Sequence, residues 1–360
     1  MTLRVFGAPG RYLQGAGAVD RMGEFLARIG RRAILVSDRV VLDLVADRVV
    51  EACRAAGIAC EPVEFSGEIT PDEVERLVAL AGPLQAEFVI GCGGGRGIDV
   101  GKAVAHRLGL RVVTLPTAAS NDAPTSQIYV LYDHNHRLLR VESLPASPDV
   151  VVVDTDWIVS APPVLFSAGI GDAIVKKFEV AQCVAAGGRN IFGGQALRAA
   201  VTLSELCHDT LRQHAEPALA AVRERRVTDD VERVVEATVL HSGLGFESGG
   251  LSISHAMTRG LSAVRGARDA LHGFQVAYAL FVQFTLEGRP PAFLEDMRAF
   301  HRRVGLATTL ASLGMHDVTD AEITAIAEGT MTAPHARHFE RPLTAADIAG
   351  AIRAVEAAGA

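Results

Sequence analysis

The chain reads as an α/β nucleotide-binding domain followed by an all-α domain, and three observations predict that order. Short β-branched runs alternate with helical stretches through the first 160 residues or so. A run of glycines follows one of those strands directly. Beyond Pro162-Pro163 the strand-like runs stop, and Ala, Leu, Glu and Arg recur at helical spacing. Proline disfavours helix for the residue before it, so the pair marks the boundary between residues 1–162 and 163–360.

The strands come first. Ala33-Ile34-Leu35-Val36, Glu87-Phe88-Val89-Ile90-Gly91, Arg111-Val112-Val113-Thr114-Leu115 and Val150-Val151-Val152-Val153-Asp154 are apolar on both faces. That is the pattern of a parallel sheet covered by helices on two sides. Between the first two, Thr70-Pro71-Asp72-Glu73 opens a helix: Thr at the N-cap, Pro at the first helical position and Glu three residues after the cap, the spacing of a capping box. Ile128-Tyr129-Val130-Leu131-Tyr132 and Leu138-Leu139-Arg140-Val141, joined across Asp133-His134-Asn135-His136, predict a hairpin inserted into this domain. In the second half, Thr228-Asp229-Asp230 starts a helix with an acidic first turn, and Val231, Val234, Val235 and Val239 form its apolar stripe.

Composition narrows the function. The 360 residues carry 35 Lys and Arg against 42 Asp and Glu, a formal net charge of −7, which offers no electrostatic footprint for nucleic acid or anionic lipid. Hydrophobic residues at 49% supply a large core, while no apolar run approaches the roughly 18–20 residues needed to cross a bilayer. Five scattered cysteines without C-x-x-C spacing fit a reducing compartment. The N-terminus Met1-Thr2-Leu3-Arg4-Val5-Phe6 lacks the regions of a signal peptide. A cytoplasmic enzyme acting on a small molecule is expected.

Four features carry chemistry. Gly91-Cys92-Gly93-Gly94-Gly95-Arg96-Gly97 lies between a strand and a helix, where bare backbone N–H groups can cradle a diphosphate; it is neither the G-x-G-x-x-G fingerprint nor a P-loop, and a tight ligand-free turn is the alternative. Pro116 to Ser126 is rich in small hydroxyl residues at the end of the next strand, suited to ribose or phosphate oxygens or simply to a loop. Asp38, closing the first strong strand, can accept bonds from a ribose and so favour NAD over NADP, or can cap the following helix. Asp172, His255 and His272 form a possible three-ligand set for zinc with a fourth position open for substrate. His241 competes as a ligand, and each histidine could equally be a satisfied core group. His134, His136, His335 and His338 lie in turn-like or polar stretches and are expected in solvent.

In combination these residues are similar to a known family. Gly93-Gly94-Gly95 with Asp99 and Lys102, the segment Pro116 to Ser126, Gly169-Ile170-Gly171-Asp172, His241 to Gly250, and His255 with His272 resemble the glycerol dehydrogenases. These are the zinc-dependent branch of the iron-containing alcohol dehydrogenase family, with a dehydroquinate synthase-like fold. The likeness runs over nearly the whole chain. It implies an NAD-binding α/β domain, a helical domain, and one zinc per subunit in the cleft between them, held by Asp172, His255 and His272. It places Asp38, Gly94, Gly95, Arg96, Gly97, Ile98, Asp99, Thr117, Ser120, Ser126, Ile128 and Tyr132 around NAD, and Asp122 on the substrate hydroxyls. Iron-dependent relatives carry a further His four residues after the Asp; Lys176 stands there, pointing to zinc. Arg96 and Gly97 depart from the family's Lys followed by Thr or Ser, keeping a cation and losing a hydroxyl. The implied reaction is NAD-dependent oxidation of glycerol or a related vicinal diol, with Asp122, Asp172, His255 and His272 as the catalytic set and hydride passing from a zinc-bound alkoxide to nicotinamide C4. The resemblance also implies a homo-oligomer, an octamer in this family. Two other readings are a dehydrogenase of a phosphorylated polyol such as sn-glycerol-1-phosphate, using Lys176, Lys177, Arg259, Arg265 and Arg268, and a non-catalytic NAD-binding homologue.

Overall fold

A computed structural model describes residues 3–134 and 138–359. The chain divides into two compact units, one formed by residues 8–166 with 220–243, the other by 1–7, 167–219 and 244–360. This departs from the single cut expected at Pro162-Pro163. Residues 220–243 join the α/β unit through Glu232: Gln14 Nε2 donates to its carbonyl and carboxylate, and Thr155 Oγ1 donates to its Oε1. The N-terminal residues join the helical unit through Asn190, whose amide donates to the carbonyls of Val5 and Ser248.

The α/β unit is a six-stranded parallel sheet. Its strands are β1 (Arg11–Gly15), β2 (Arg32–Asp38), β3 (Ala59–Phe65), β4 (Phe88–Gly93), β5 (Arg111–Pro116) and β8 (Val150–Asp154), in the order β1-β8-β5-β4-β2-β3. Alternate residues feed two cores. Leu35, Ile90, Val113 and Val152 pack with helix α1 (Arg39–Ala55) on one face. Ile34, Val89 and Val112 pack with α2 (Pro71–Ala81) and α3 (Gly95–Leu108) on the other. With α1 and α3 on opposite faces, the strand order reverses between β2 and β4. An open α/β sheet binds ligands in the crevice at such a switch point, outside the carboxyl ends of the strands. Asp38 ends β2 and Gly93 ends β4, so both lie at that crevice.

Two edge elements were not foreseen. β1 and β3 form the edges of the sheet, and β3 is largely exposed and includes Pro62, which only an edge strand tolerates. The hairpin β6 (Ile128–Tyr132) and β7 (Leu138–Ser143) forms as expected, with an irregularity between Leu131 and Tyr132; Asn135 and His136 of its turn lie outside the described residues. Thr70 caps α2 by accepting the Glu73 N–H, but Glu73 does not complete the capping box. Its carboxylate accepts from the Ser66 amide and from Arg76 instead. The helix from Asp229 to Val235 passes into a π-helical turn over Glu236–His241, so the valine stripe is buried as expected while the register shifts by one residue.

The second unit is helical: α4 (Pro163–Ile174), α5 (Lys176–Ala185), a helix over Arg198–Arg223 that begins in this unit, α6 (Ile253–Leu261), α7 (His272–Leu286), a helix over Pro291–Arg303, α8 (Asp320–Met331) and α9 (Ala345–Gly359). The centre of α7 is apolar on all sides, with Val276 to Val282 fully buried, as expected of a helix enclosed by others. His301 is also fully buried, edge-on to Phe281 and Phe300. Burial pushes its imidazole down to about 3. The unfolded chain takes up this proton near pH 6.5 and the folded chain refuses it until about pH 3, so stability is lost as pH falls through that window. Between pH 7 and pH 5 the wild type should lose about 2 kcal/mol more stability than His301→Leu, measured by urea unfolding of both proteins at each pH. Equal losses would show that His301 is not the source.

Candidate functional site

In the α/β unit the polar loops converge through their backbone. Gly93 pairs with Pro116 in register, and the Thr117 amide donates to the Gly93 carbonyl at 3.0 Å, joining the glycine run to the hydroxyl-rich segment. The glycines have separate tasks. A Cβ on Gly97 would lie 2.0 Å from the Cys92 carbonyl oxygen, so Gly97 permits α3 to lie against β4. The hydroxyl missing at position 97 has a neighbour in Ser37, whose Oγ donates to that same carbonyl at 2.7 Å. A Cβ on Gly94 would meet nothing within 4 Å. Gly94 is the N-cap of α3, and the first N–H groups of a helix have no intrahelical partner. Open space in front of unsatisfied donors at a positive helix end fits a diphosphate.

Several of the residues expected around NAD are engaged with the protein. Asp38 Oδ1 accepts the Val41 amide at 3.1 Å and so caps α1. Arg96 pairs with Glu68 at 2.9 Å. Asp99 is buried and accepts from Lys102 and from the Val130 amide, tying α3 to the hairpin. Burial raises its pKa, partly offset by Lys102. Lys102, with no exposure, also donates to the carbonyls of Ala123 and Ile128, both at 2.7 Å. It pins both ends of the turn that carries Ser126, which in turn accepts the Ile128 amide. Tyr132 is pushed up to about 12 by burial. Ser120 lies on the same loop, half-buried, and Ile98 is buried in the first turn of α3.

Asp122 is buried and its Oδ2 accepts from Ser242 Oγ at 2.8 Å. The close approach of these segments depends on Gly243, where a Cβ would lie 1.9 Å from Thr125 Oγ1, and on Thr125, which donates to the Val239 carbonyl exposed by the π-turn. His241 belongs to the α/β unit, buried beside Glu236, 3.3 Å away, and burial lowers its pKa.

The helical unit brings Asp172, His255 and His272 together, with ligand atoms all within 4.8 Å of one another, the one such group of three among the described residues. Asp172 lies near the end of α4 and His272 begins α7. These helices cross in contact, since a Cβ on Gly273 would lie 1.8 Å from the Ala168 carbonyl oxygen. His255, in the first turn of α6, is set by Glu179. One Glu179 oxygen accepts the amides of Ser252 and His255 at 3.0 and 2.9 Å, and the other receives the His255 Nδ1 proton. This leaves Nε2 facing Asp172 Oδ1 at 3.2 Å.

Electrostatics reinforce the arrangement. Burial alone would lower the His255 pKa, but Glu179 and Asp172 together outweigh it and bring the imidazole to about 9, making Nε2 a stronger base. Burial alone would raise Asp172, yet Lys176 and the imidazoles hold it well below the usual carboxylate range. One carboxylate oxygen and two imidazole nitrogens, one ring oriented by a carboxylate behind it, form a donor set that fits zinc.

Glu179 was not foreseen. Its signal was the spacing Asp172, Lys176, Glu179 at i, i+4 and i+7, three charges on one side of an apolar run. Lys176 is fully buried and turned into the site, with Nζ 2.7 Å from Asp172 Oδ1. Of the other basic residues expected for a phosphate ester, Lys177 faces Asp209 and His208, Arg268 lies near Asp269, and Arg259 reaches the Thr332 carbonyl. His134 is exposed, whereas His338 bonds the Leu251 carbonyl and burial lowers His335 to about 4, contrary to the expectation of solvated rings.

Comparison with known proteins gives consistent results. Residues 9–155 match the model of the iron-containing alcohol dehydrogenases. The chain is 38% identical over 325 residues to a glycerol dehydrogenase of Escherichia coli, covering 90% of this chain and 89% of that one. It is 37% identical to the glycolaldehyde reductase of Halobacterium salinarum, covering 93% and 92%. The crystal structure of glycerol dehydrogenase from Schizosaccharomyces pombe matches with a TM-score of 0.95 at 31% identity, over 99% of this chain and 91% of that one.

The two glycines separate packing from ligand binding. Gly94→Ala should leave the melting temperature unchanged and weaken NAD binding at least about tenfold, or 1.4 kcal/mol. Gly97→Ala should destabilise the protein by about 1–3 kcal/mol. Thermal melts and titration of NADH fluorescence check both. Unchanged NADH affinity in Gly94→Ala would remove the diphosphate from this helix end.

Proposed function

Because the chain belongs to the iron-containing alcohol dehydrogenase family, with glycerol dehydrogenases among its relatives over nine-tenths of its length, we propose that it oxidises glycerol or a related vicinal diol to the hydroxyketone with NAD. The observation that carries this reading is the Asp172, His255 and His272 donor set, with His255 already oriented by Glu179. When bound, zinc supplies Lewis acidity that lowers the pKa of a substrate hydroxyl, and NAD supplies the hydride acceptor.

The chain's own residues do the rest. Glu179 keeps the His255 proton on Nδ1, so that Nε2 stays available as a donor. The N-terminus of α3 holds the NAD diphosphate, with Gly94 allowing close approach and Asp38, Thr117, Ser120, Ser126, Ile128 and Tyr132 around the remainder of the dinucleotide. Asp122, fixed by Ser242, accepts a hydrogen bond from the second substrate hydroxyl and so selects diols over simple alcohols. A vicinal diol offers two such hydroxyls on adjacent carbons, and positioning both restricts the reacting carbon to one orientation.

A second reading is supported by the glycolaldehyde reductase relative. Reduction of a small hydroxyaldehyde is the same hydride transfer run backwards, on a carbonyl next to a hydroxyl. We also place the protein in the cytoplasm as a homo-oligomer, an octamer on the family likeness. Its five cysteines are free thiols, and no helix among the described residues is long and apolar enough to cross a membrane.

NADH formation from glycerol, 1,2-propanediol, 2,3-butanediol and glycerol-1-phosphate, with NADH consumption by glycolaldehyde, tests both readings. Activity on free diols that is lost on chelation and restored by zinc is the expected result. Activity confined to glycolaldehyde would favour the second reading, and activity confined to the phosphate ester would overturn both. Asp122→Asn can still accept from Ser242, yet should lower kcat/KM for glycerol at least about a hundredfold. Unchanged turnover on every diol would exclude Asp122 from the mechanism.

A further inference from the structure

Lys176 lies against two of the three residues that would hold a metal ion. Its side chain has no exposure, and its Nζ lies 2.7 Å from Asp172 Oδ1 and 3.0 Å from His255 Nε2. A protonated amine only donates hydrogen bonds, so it draws on the same Asp172 carboxylate oxygen through which that residue would bind zinc, and it sets its charge 3.0 Å from the imidazole nitrogen that would be the second ligand. The Phe246 ring, 5.6 Å from Nζ, adds an aromatic face to the ammonium's surroundings. A lone pair that accepts an N–H cannot at the same time coordinate an ion, and a unit positive charge this close opposes a divalent cation.

We propose that Lys176 is a tethered competitor for the metal site, holding Asp172 and His255 in place when no ion is bound and having to leave them before the ion can bind. This rests on the reading of Asp172, His255 and His272 as metal ligands. It goes beyond that reading in making metal affinity a property of the side chain four residues after Asp172. With the lysine present, the ion exchanges two ammonium contacts for its own bonds. Without it, the buried carboxylate lacks a cation until the ion arrives, so binding is tighter and stabilises the fold more.

The test is zinc affinity of chelator-stripped protein, measured by competition with a chromophoric chelator, for wild type, Lys176→Met and Lys176→Gln. The glutamine variant can still donate to Asp172, so it serves if the methionine variant does not fold without metal. Removing the charge should tighten zinc binding at least about tenfold, and zinc should raise the melting temperature of the variants more than that of the wild type. Equal or weaker binding by the folded variants would overturn the competition, leaving Lys176 a structural partner of Asp172 while the wild type's own zinc binding upholds the site. Absence of zinc binding in all three would overturn the metal site and this inference with it.

Discussion

A carboxylate without exposure, as Glu179 is, has to draw its hydrogen-bond donors from the protein, and it takes three from one short stretch of chain. Two are backbone amides at the start of α6, where a helix has unsatisfied N–H groups and a positive end. The third is the imidazole of a residue in that same turn. Burial penalises the negative charge, but His255, through its imidazole and its amide, and Lys176 more than compensate, and the Glu179 pKa is held below its ordinary value. One buried group thereby caps a helix, selects a tautomer and aims a ligand. The contact of α4 with α7 at Gly273 sets the other two ligands.

The α/β unit uses the same economy with the opposite charge. Lys102 is as buried as Glu179 and as fully engaged, with two carbonyls and Asp99 around its ammonium. A loop of small hydroxyl residues has little apolar surface to hold it in shape. Its conformation comes instead from bonds to this one cation, from the Thr125 hydroxyl and from the Thr114 hydroxyl on the Pro124 carbonyl. Conformation is thus imposed from the core outward, and the N–H groups at the start of α3 remain available to a ligand.

The sequence exposed these features unevenly. Strands β2, β4, β5 and β8 were legible because residues such as Val89, Ile90, Val112 and Val113 are apolar on both faces, a pattern few other structures produce. β1 and β3 were not, because edge strands keep polar residues such as Gln14, Glu61 and Glu64. Asp172, His255 and His272 were recognisable as types and by family likeness, yet nothing in their spacing distinguished them from His241. What separates them is the meeting of α4, α6 and α7, which depends on packing. Glu179 passed unremarked and Lys102 entered only through the family likeness, since burial of a charge shows only once its neighbours are in place. The return of residues 220–243 to the α/β unit depended likewise on polar contacts with residues far away in the chain, such as Gln14 and Thr155.

The π-turn over Glu236–His241 holds one residue more than an α-helical turn would. Each residue of a helix turns the following side chain by about 100°, so the extra residue helps decide that Ser242 faces Asp122 and that Gly243 meets Thr125. Replacing any one side chain in the turn leaves that rotation intact. Removing a single residue would restore ordinary helix and swing the Ser242 hydroxyl away from its carboxylate. The placement of Asp122's partner is therefore written partly in a count of residues, a kind of information that substitution scanning never samples and that a one-codon deletion would erase.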